Sequence, residues 1–158
     1  CRNARLSING QVTDITDKNE KGYIRIEREW QSSDKVTLDL AMPIERIRAH
    51  PSIRADVGCV APQRGPLVYC LEQADHDVPV YSIVLPQTAK LTTRFVRELL
   101  GGVIVITGTA SAPEDYEWQA TLYRAQAPEL CACALTAIPY FAWDNRQPGQ
   151  MTVWLPTI

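Results

Sequence analysis

Residues 131–155 read CACALTAIPYFAWDNRQPGQMTVWL, and this stretch contains the pattern that decides the fold. The small and apolar residues at 131–138 predict a strand. Pro139 follows, and because proline cannot donate a ladder hydrogen bond, the chain is expected to bend there or to lie at a sheet edge. Pro148-Gly149 then reverses the chain, and residues 151–155 predict a final strand. The stretch is therefore expected to form the corner of a β-structure.

The polar residues of this corner have the chemistry of a turn. Asp144 and Asn145 are residue types that cap turns through hydrogen bonds from side chain to backbone. Arg146 is expected to lie over Trp143 or Tyr140 in a cation–π contact worth about 0.5 to 2 kcal/mol. Such a rigid corner could press against another domain, and its rings could also stack on a sugar.

Alternating apolar and polar residues continue this pattern upstream. Val36, Leu38 and Leu40 share one face of a predicted half-buried strand, and Ile24 and Ile26 share one face of another. Further strands are predicted at residues 67–71, 80–85, 91–96, 103–109, 117–124, 131–138 and 151–155. Many short strands with turn residues between them predict an all-β fold, an antiparallel β-sandwich that is jelly-roll-like or immunoglobulin-like, with at most short helical turns.

Composition narrows the classes of partner. The 158 residues suit one domain, and 16 basic against 18 acidic residues give a net charge of -2 without a basic face, so no nucleic acid is expected. Apolar runs such as residues 103–106 are far shorter than the ~20 residues of a membrane span, so no membrane partner is expected. Five cysteines without the spacing of a disulfide framework predict free thiols in a reducing, cytoplasmic compartment.

Two groups of residues have metal-binding or catalytic side chains. Cys131 and Cys133 could form half of a metal site, but residues i and i+2 share a strand face and a zinc site would need two more ligands, so two small residues of a packed strand are the favoured interpretation. The loop at residues 72–77 carries three carboxylates and His76, which suit a calcium ion, acid/base chemistry or a solvated hairpin tip. The solvated tip is the favoured interpretation.

No catalytic constellation is visible. Glycoside hydrolysis requires two carboxyl groups that face each other across a bond, roughly 5 to 10 Å apart. Glu114, Asp115 and Glu117 lie in one segment, and no partner across a cleft can be named. The aromatic residues could stack on sugars if several were exposed and coplanar, although core or inter-domain packing is favoured. They are Trp30, Tyr116, Trp118, Tyr123, Tyr140, Phe141, Trp143 and Trp154.

Three ordered motifs carry a family resemblance. They are MPIERIRAHP at residues 42–51, VAPQRGPLVYCLE at residues 60–72 and IPYFAWDNRQPG at residues 138–149. In this order they resemble the C-terminal β-sandwich region of glycoside hydrolase family 127, the bacterial β-L-arabinofuranosidases. The resemblance covers essentially the whole chain, including LLGG at residues 99–102 and the closing MTVW.

The resemblance implies a parent enzyme in carbohydrate metabolism with an α/α-toroid catalytic domain that lies N-terminal to this region. It also implies a zinc-bound cysteine nucleophile and a glutamate acid/base in that domain. None of those residues can be placed here, so no cofactor is expected in this chain and Cys131 and Cys133 receive no catalytic role. Residues 1–158 are expected to form a single β-sandwich region that is truncated at its N-terminal side, so that an unpaired sheet edge would promote self-association.

The expected function is accordingly that of a non-catalytic β-sandwich portion that supports the parent's catalytic domain and takes part in dimerisation. One alternative is a carbohydrate-binding module that holds arabinose-containing glycans on exposed aromatics, and another is a structural oligomerisation domain. The expected partners are the N-terminal catalytic domain, a second copy of the chain and such glycans. The residues expected to contact carbohydrate or a neighbouring domain are Tyr140, Trp143, Asn145, Arg146 and Arg64.

Overall fold

Short strands joined by tight turns provide the regular structure of the chain. A computed structural model describes residues 4–15, 19–114 and 122–158, and the chain divides into two compact units, Cys1–Pro43 and Ile44–Ile158. Within the described residues all strand ladders are antiparallel and the helices are short 3₁₀ turns, which confirms the predicted all-β fold. No helix in those ranges is long and apolar enough to cross a membrane. That the two units belong to one sandwich region stays a prediction.

The first unit is built around a three-stranded sheet in the order β2-β1-β5, beside a two-stranded hairpin of β3 and β4. Asn9 and Gly10 join β1 to β2 with positive φ angles of 51° and 81°, the conformation that a two-residue hairpin turn requires. The strands are β1 (Arg5–Ile8), β2 (Gln11–Thr13), β3 (Asn19–Glu20), β4 (Tyr23–Ile24) and β5 (Val36–Asp39).

The apolar face of β5 differs from the prediction. Val36 and Leu38 were expected to be half-buried, but they are 48% and 50% exposed. Their cross-strand neighbours Ile8 and Leu6 are buried. The difference follows from position, because β1 is the central strand of this sheet and β5 is an edge strand with a neighbour on one side.

The second unit contains one larger sheet, in which the described residues contribute eight strands. Its main path runs β13-β7-β8-β11-β10-β9, with β12 paired to β8 and β6 paired to β7. Gly65, at φ 55°, and Pro66 form the turn between β7 and β8. The strands are β6 (Ile44–Ile47), β7 (Cys59–Arg64), β8 (Leu67–Glu72), β9 (Leu91–Val96), β10 (Val103–Pro113), β11 (Leu130–Pro139), β12 (Met151–Thr152) and β13 (Leu155–Pro156).

The strand predictions match the structure in part: the alternation at Ile24 and Ile26 yields only the two-residue strand Tyr23–Ile24, and the predicted strand at 151–155 is interrupted at residues 153–154. β9 matches its predicted range, and β8, β10 and β11 extend one to four residues beyond theirs. The predicted strand at residues 80–85 is wrong. Pro79 is followed by the 3₁₀ turn Val80–Ser82, and Val84 and Leu85 then form only isolated bridges. In the predicted strand at 117–124, residues 117–121 lie outside the described residues, and residues 122–124 are not in a strand.

The large sheet is covered on both faces at its centre. Successive residues of a strand point to opposite faces, and Tyr69 and Cys70 are both fully buried in different apolar clusters. Ala137 and Ile138 divide in the same way. The first cluster comprises Val60, Tyr69, Leu71, Val80, Ile83, Leu85, Ile106, Ala110, Leu135, Ala137 and Leu155, and the second comprises Cys70, Val103, Val105, Ile138 and Ala142. The corner that follows β11 begins directly beside the second cluster.

Candidate functional site

The predicted corner forms where β11 ends. Pro139 is the last residue of β11, and the 3₁₀ turn Tyr140–Ala142 follows it at once. The Trp143 N–H donates to the Tyr140 carbonyl at 3.1 Å and closes the turn. Asn145 caps it, because its Nδ2 donates to the carbonyls of Ala142 and Trp143, each at 3.1 Å. The bend at Pro139 and the capping by Asn145 are confirmed.

Two aromatic rings are fixed against each other on this corner. The Tyr140 and Trp143 rings stack with their centroids 5.7 Å apart and an angle of 26° between their planes. Tyr140 is 44% exposed and Trp143 is 38% exposed, so the pair forms part of the surface. Because the rings lie face to face, each uses one face on the other and they do not form a broad coplanar platform.

Arg146 does not make the cation–π contact that the sequence suggested. Its Nε donates to Glu72 Oε2 at 2.9 Å, and its Nη1 and Nη2 donate to the two carboxylate oxygens of Asp75 at 2.6 Å each. Nη2 also pairs with Glu72 Oε2. Two carboxylates within reach attract a guanidinium more strongly than the face of an aromatic ring does. The hydrogen bonds that its guanidinium donates to Asp75 and Glu72 accordingly raise the pKa of Arg146 above its ordinary value.

Glu72 links this ion-pair cluster to the corner backbone. It is buried, and its Oε1 accepts a hydrogen bond of 2.9 Å from the N–H of Asp144, a residue in the left-handed region at φ 63°. The interpretation of residues 72–77 as a solvated hairpin tip is therefore wrong for Glu72 and Asp75, whose side chains are 9% and 16% exposed. They hold Arg146, a pairing that no local pattern in the sequence specifies.

His76 fastens the same loop to the sheet. Its Nε2 accepts the backbone N–H of Thr136 at 3.2 Å, and its Nδ1 lies 2.8 Å from the carbonyl of Glu72. Because the backbone N–H can only donate, Nε2 is the acceptor and Nδ1 carries the proton that it donates to Glu72. Both ring nitrogens are thus used in structural hydrogen bonds, which leaves neither for acid/base chemistry in this arrangement.

An open apolar cleft lies beside the aromatic pair. Its volume is about 470 Å³. It is lined by Val68, Tyr140, Met151, Thr152, Val153 and Trp154. Val68 is 39% exposed on the outer face of β8. The corner and the cleft together form a continuous surface, called the corner surface below and defined by Val68, Tyr140, Trp143, Val153 and Trp154.

Arg64 lies elsewhere, at the end of β7. Its Nε is buried and has no hydrogen-bond partner. It hydrogen-bonds the phenol of Tyr69, so that it offsets part of the rise that burial causes in the pKa of Tyr69. The Tyr69 hydroxyl itself donates to the Ile104 carbonyl at 2.9 Å. Arg64 is therefore not part of the corner surface, unlike Tyr140 and Trp143, with which it was expected to act.

The remaining candidates do not add to the corner surface. In the described ranges no three His, Cys, Asp or Glu side chains come together as a metal site. Cys131 is exposed and Cys133 is half-buried, and both are free thiols of β11. Trp30 belongs to the first unit, where the Arg28 guanidinium lies 5.2 Å from its ring centroid. Tyr116 and Trp118 lie outside the described residues.

Two family models match the sequence. One is described as the glycoside hydrolase family 127 C-terminal domain and matches residues 44–156. The other is described as the β-L-arabinofuranosidase GH127 middle domain and matches residues 1–42. The division between the two matches falls at the boundary of the two compact units, Cys1–Pro43 and Ile44–Ile158.

Similar proteins are named as arabinofuranosidases. A non-reducing end β-L-arabinofuranosidase from Bifidobacterium longum subsp. longum is 32% identical over 154 residues, which are 94% of this chain and 23% of that protein. The crystal structure of a GH127 β-L-arabinofuranosidase from Geobacillus stearothermophilus T6 matches with a TM-score of 0.89 and 46% identity, over 100% of this chain and 25% of that one. A GH127 β-arabinofuranosidase structure matches with a TM-score of 0.83 and 36% identity, over 98% and 23%.

The chain thus spans about a quarter of the length of these relatives. The family model of the C-terminal domain matches more than half of the chain, and the solved structures share its fold throughout. The motifs at residues 42–51, 60–72 and 138–149 therefore carry a true relationship. This chain belongs to glycoside hydrolase family 127.

Proposed function

We propose that the chain is a non-catalytic C-terminal portion of a longer enzyme resembling β-L-arabinofuranosidases, and that it supports the catalytic domain of that enzyme. The named relatives are β-L-arabinofuranosidases about four times as long as this chain. A catalytic domain of the family's kind would then lie in the part of the polypeptide that precedes this region.

The stacked Tyr140–Trp143 pair is the observation that carries this proposal. The two rings are exposed, and the turn that carries them is closed by the Asn145 cap and by the hydrogen bond from the Asp144 N–H to Glu72. Exposed apolar surface of this kind, next to a cleft, is typical of an interface with another protein segment. A rigid surface also loses little conformational entropy when it docks.

The carboxylates of the second unit support a non-catalytic role. Glu72 and Asp75 are brought together, but both bind the same guanidinium of Arg146. A glycosidase needs its two carboxyl groups on opposite sides of the scissile bond with room for the sugar between them. The ion-pair cluster leaves no such space, because the space between the carboxylates is occupied by Arg146.

The zinc that the family resemblance implies does not fit the residues of this chain. Cys131 and Cys133 share one face of β11, but the described residues bring no third ligand to them. Burial raises the pKa of Cys133, which disfavours the thiolate that a zinc ion would bind. The proposal therefore assigns no zinc chemistry to this chain.

Enzyme assays test the non-catalytic role. Purified residues 1–158 and the longer protein would be assayed with an aryl β-L-arabinofuranoside. We expect hydrolysis by the longer protein and none by residues 1–158 above the rate of a buffer blank. Turnover by residues 1–158 alone, after removal of contaminating glycosidases on a second column, would overturn the proposal.

A substitution in the corner surface tests the supporting role. The double variant Tyr140→Ala/Trp143→Ala is expected to lower the thermal midpoint and the activity half-life of the longer protein more than it lowers the midpoint of residues 1–158. Tyr81→Ala, which removes another exposed ring outside the corner surface, is the matched control. Equal effects of the double variant on the two proteins would contradict a supporting contact at this surface.

A carbohydrate-binding module remains the second candidate, and the exposure of Tyr140, Phe141 and Trp143 favours it. Calorimetry of residues 1–158 with arabinan and with hydroxyproline-linked arabinosides would test it. Saturable heat that Trp143→Ala abolishes would support sugar binding, whereas no heat at millimolar sugar would eliminate it. The stacking of the rings on each other makes the second result the expected one.

Self-association is the third candidate. β9 ends the path of the large sheet within the described residues, and its Phe95 is 63% exposed. Such an edge can pair with the same edge of a second copy. Sedimentation velocity of residues 1–158 over a hundredfold range of concentration tests this, and a monomer at every concentration would count against it.

A further inference from the structure

The turn between β1 and β2 contains an asparagine in a sequence context that favours its chemical modification. Of the four asparagines in the chain, Asn9 is the one that a glycine follows. Because glycine has no side chain to shield its backbone nitrogen, the Gly10 nitrogen can approach the side-chain carbon Cγ of Asn9 without steric hindrance. Asn9 is also exposed to water. These are the conditions under which an asparagine deamidates spontaneously.

Deamidation at Asn9 would be an intramolecular substitution followed by hydrolysis. The backbone nitrogen of Gly10 attacks Cγ of Asn9 and forms a cyclic succinimide, while the Cγ–Nδ2 bond breaks and ammonia leaves with the proton of the attacking nitrogen. Water then adds to one of the two ring carbonyls and opens the ring. The product is an aspartate or an isoaspartate, so a neutral amide is replaced by a carboxylate. Water is the co-reactant, and no oxidant or reductant is needed.

The folded first unit holds both polar atoms of the Asn9 amide. Its Oδ1 accepts a 2.8 Å hydrogen bond from the Lys35 N–H, and its Nδ2 donates to Asp34 Oδ1 at 2.7 Å. The backbone N–H of Asn9 donates to the Lys35 carbonyl at 2.9 Å. These contacts among Asn9, Asp34 and Lys35 are called the turn interlock below. Ring closure rotates the Asn9 amide toward the Gly10 nitrogen, so the turn interlock must open before the reaction can occur.

Asp34 makes a negative charge at position 9 unfavourable. Its side chain is 6% exposed, and its Oδ2 accepts the Gln31 N–H at 3.0 Å while its Oδ1 accepts Asn9 Nδ2. Hydrogen bonds from Gln31 and Asn9 lower the pKa of Asp34, so this carboxyl is ionised at neutral pH. Arg28 lies 3.4 Å from Oδ2, the oxygen that does not face Asn9. A carboxylate in place of the Asn9 amide would therefore face Asp34 Oδ1 with no proton between the two groups.

We propose that Asn9 is a deamidation site that the folded first unit protects, and that its conversion to a carboxylate opens the turn interlock. Local opening of the β1–β2 turn then sets the rate of the modification, and the modification in turn favours the open form. Each episode of local unfolding would leave a permanent change of charge in this turn.

Peptide mass spectrometry of residues 1–158, kept folded or in urea at mildly alkaline pH, tests the protection. In urea we expect Asn9 to deamidate faster than Asn145, which Arg146 follows. In the folded protein we expect deamidation of Asn9 to be at least about tenfold slower than in urea, because it requires the turn interlock to open. Equal rates at Asn9 in the folded and unfolded proteins would overturn the protection.

Asp34→Ala removes the acceptor of Asn9 Nδ2 and tests the turn interlock directly. In the folded protein it is expected to speed deamidation of Asn9 by at least about threefold, and in urea it should leave the rate unchanged. An unchanged rate in the folded variant would show that the hydrogen bond to Asp34 does not protect Asn9.

Asn9→Asp reproduces the charge of the product, and NMR-detected hydrogen exchange measures its effect. We expect the Lys35 amide, which donates to Asn9 Oδ1, to lose protection by about tenfold or more. Gln11→Glu, which adds the same charge at an exposed position of the same hairpin, is the matched control and should change that protection by less than about twofold.

The double variant Asn9→Asp/Asp34→Asn exchanges the roles of the two side chains. An amide at position 34 can donate to a carboxylate at position 9 and can still accept the Gln31 N–H through its oxygen. The double variant should therefore recover most of the protection of the Lys35 amide that Asn9→Asp loses. If it recovers none, facing carboxylates are not the cause of the loss, and the proposed effect of deamidation is wrong.

Discussion

Arg146 donates one hydrogen bond to each carboxylate oxygen of Asp75, Nη1 to Oδ1 and Nη2 to Oδ2, both at 2.6 Å, although the residues are 71 positions apart. Glu72 binds the Nε of the same guanidinium. This parallel geometry is among the strongest that arginine forms with an acid. It ties the 3₁₀ turn Gln73–Asp75 to the corner after β11, the segment that also carries the aromatic pair Tyr140 and Trp143.

Arg146→Met should lower the free energy of unfolding of residues 1–158 by about 3 kcal/mol, because two largely buried carboxylates would lose their cation. Arg146→Lys should recover part of the loss, since it restores the charge without the bidentate geometry. Urea unfolding monitored by tryptophan fluorescence measures both. Arg54→Ala, at an exposed arginine, should change stability by no more than about 0.5 kcal/mol. If Arg146→Met changed stability no more than Arg54→Ala does, the ion pairs of Arg146 with Glu72 and Asp75 would not contribute to stability.

Local sequence patterns predict the corner, but they do not predict the pairing of Arg146 with Glu72 and Asp75. Pro139 and Asn145 act through their immediate neighbours, so their roles could be predicted from local chemistry. Glu72 and Arg146 are 74 positions apart and meet near the pairing of β12 with β8, in which Met151 lies opposite Glu72. A register between distant strands is set by tertiary packing, which no local pattern specifies. The cation–π interpretation of Arg146 failed for that reason.

The dependence of strand pairing on tertiary packing also explains which strands were missed. Residues 91–96 and 103–109 alternate or run apolar, and both were predicted. β7 contains Pro62 and lacks alternation, because its first four residues are buried or half-buried, yet it pairs with β6, β8 and β13. Residues 80–85 show the opposite error, a strand that was predicted but is not present. Val80, Ile83 and Leu85 are apolar because they pack in the core, although they form no strand ladder. Burial and strand pairing are separate causes of apolar patterns.

Cys70 should make the stability of the chain sensitive to alkaline pH. Burial, together with the negative charge of Glu72, raises the pKa of its thiol from 9.0 to about 12. Below pH 9 the folded and unfolded states both hold the proton, so the contribution is constant. Above pH 9 the unfolded state releases the proton first, so stability falls as pH rises toward about 12.

Cys70→Ala is the variant that isolates this effect. Between pH 8 and pH 10.5 the wild type should lose about 2 kcal/mol more of its free energy of unfolding than Cys70→Ala does. Urea unfolding at several pH values measures the difference, and the comparison cancels the titration of the lysines and tyrosines. Parallel pH profiles for the two proteins would show that the thiol ionises as readily in the folded state as in the unfolded state.

Asp144 should tolerate glycine better than alanine. Its φ of 63° lies in the left-handed region, where a Cβ costs about 1 to 2 kcal/mol and where aspartate and glycine are the better-suited residues. Asp144→Ala should therefore destabilise residues 1–158 by about 1 kcal/mol, and Asp144→Gly should be near neutral in urea unfolding. Both variants keep the N–H that donates to Glu72. Equal losses would mean that the side chain of Asp144, rather than its backbone, stabilises the corner.

Gly108 should resist any side chain, because β9 approaches β10 closely at this point. A Cβ at residue 108 would lie 2.8 Å from Leu91 Cδ2 and 2.9 Å from the carbonyl oxygen of Lys90. Leu91 can rotate, but the carbonyl belongs to the backbone and would have to move. Gly108→Ala should therefore lower the free energy of unfolding by about 1 to 3 kcal/mol.

Thr109→Ala, at the adjacent exposed position of β10, is the matched control and should cost less than about 1 kcal/mol. Hydrogen exchange gives the more specific measurement. If the clash displaces the edge strand, the amides of β9 that pair with β10 should lose protection in Gly108→Ala, while those of β11 on the other side of β10 keep theirs. Uniform loss of protection across both strands would indicate general destabilisation instead of a local displacement of β9.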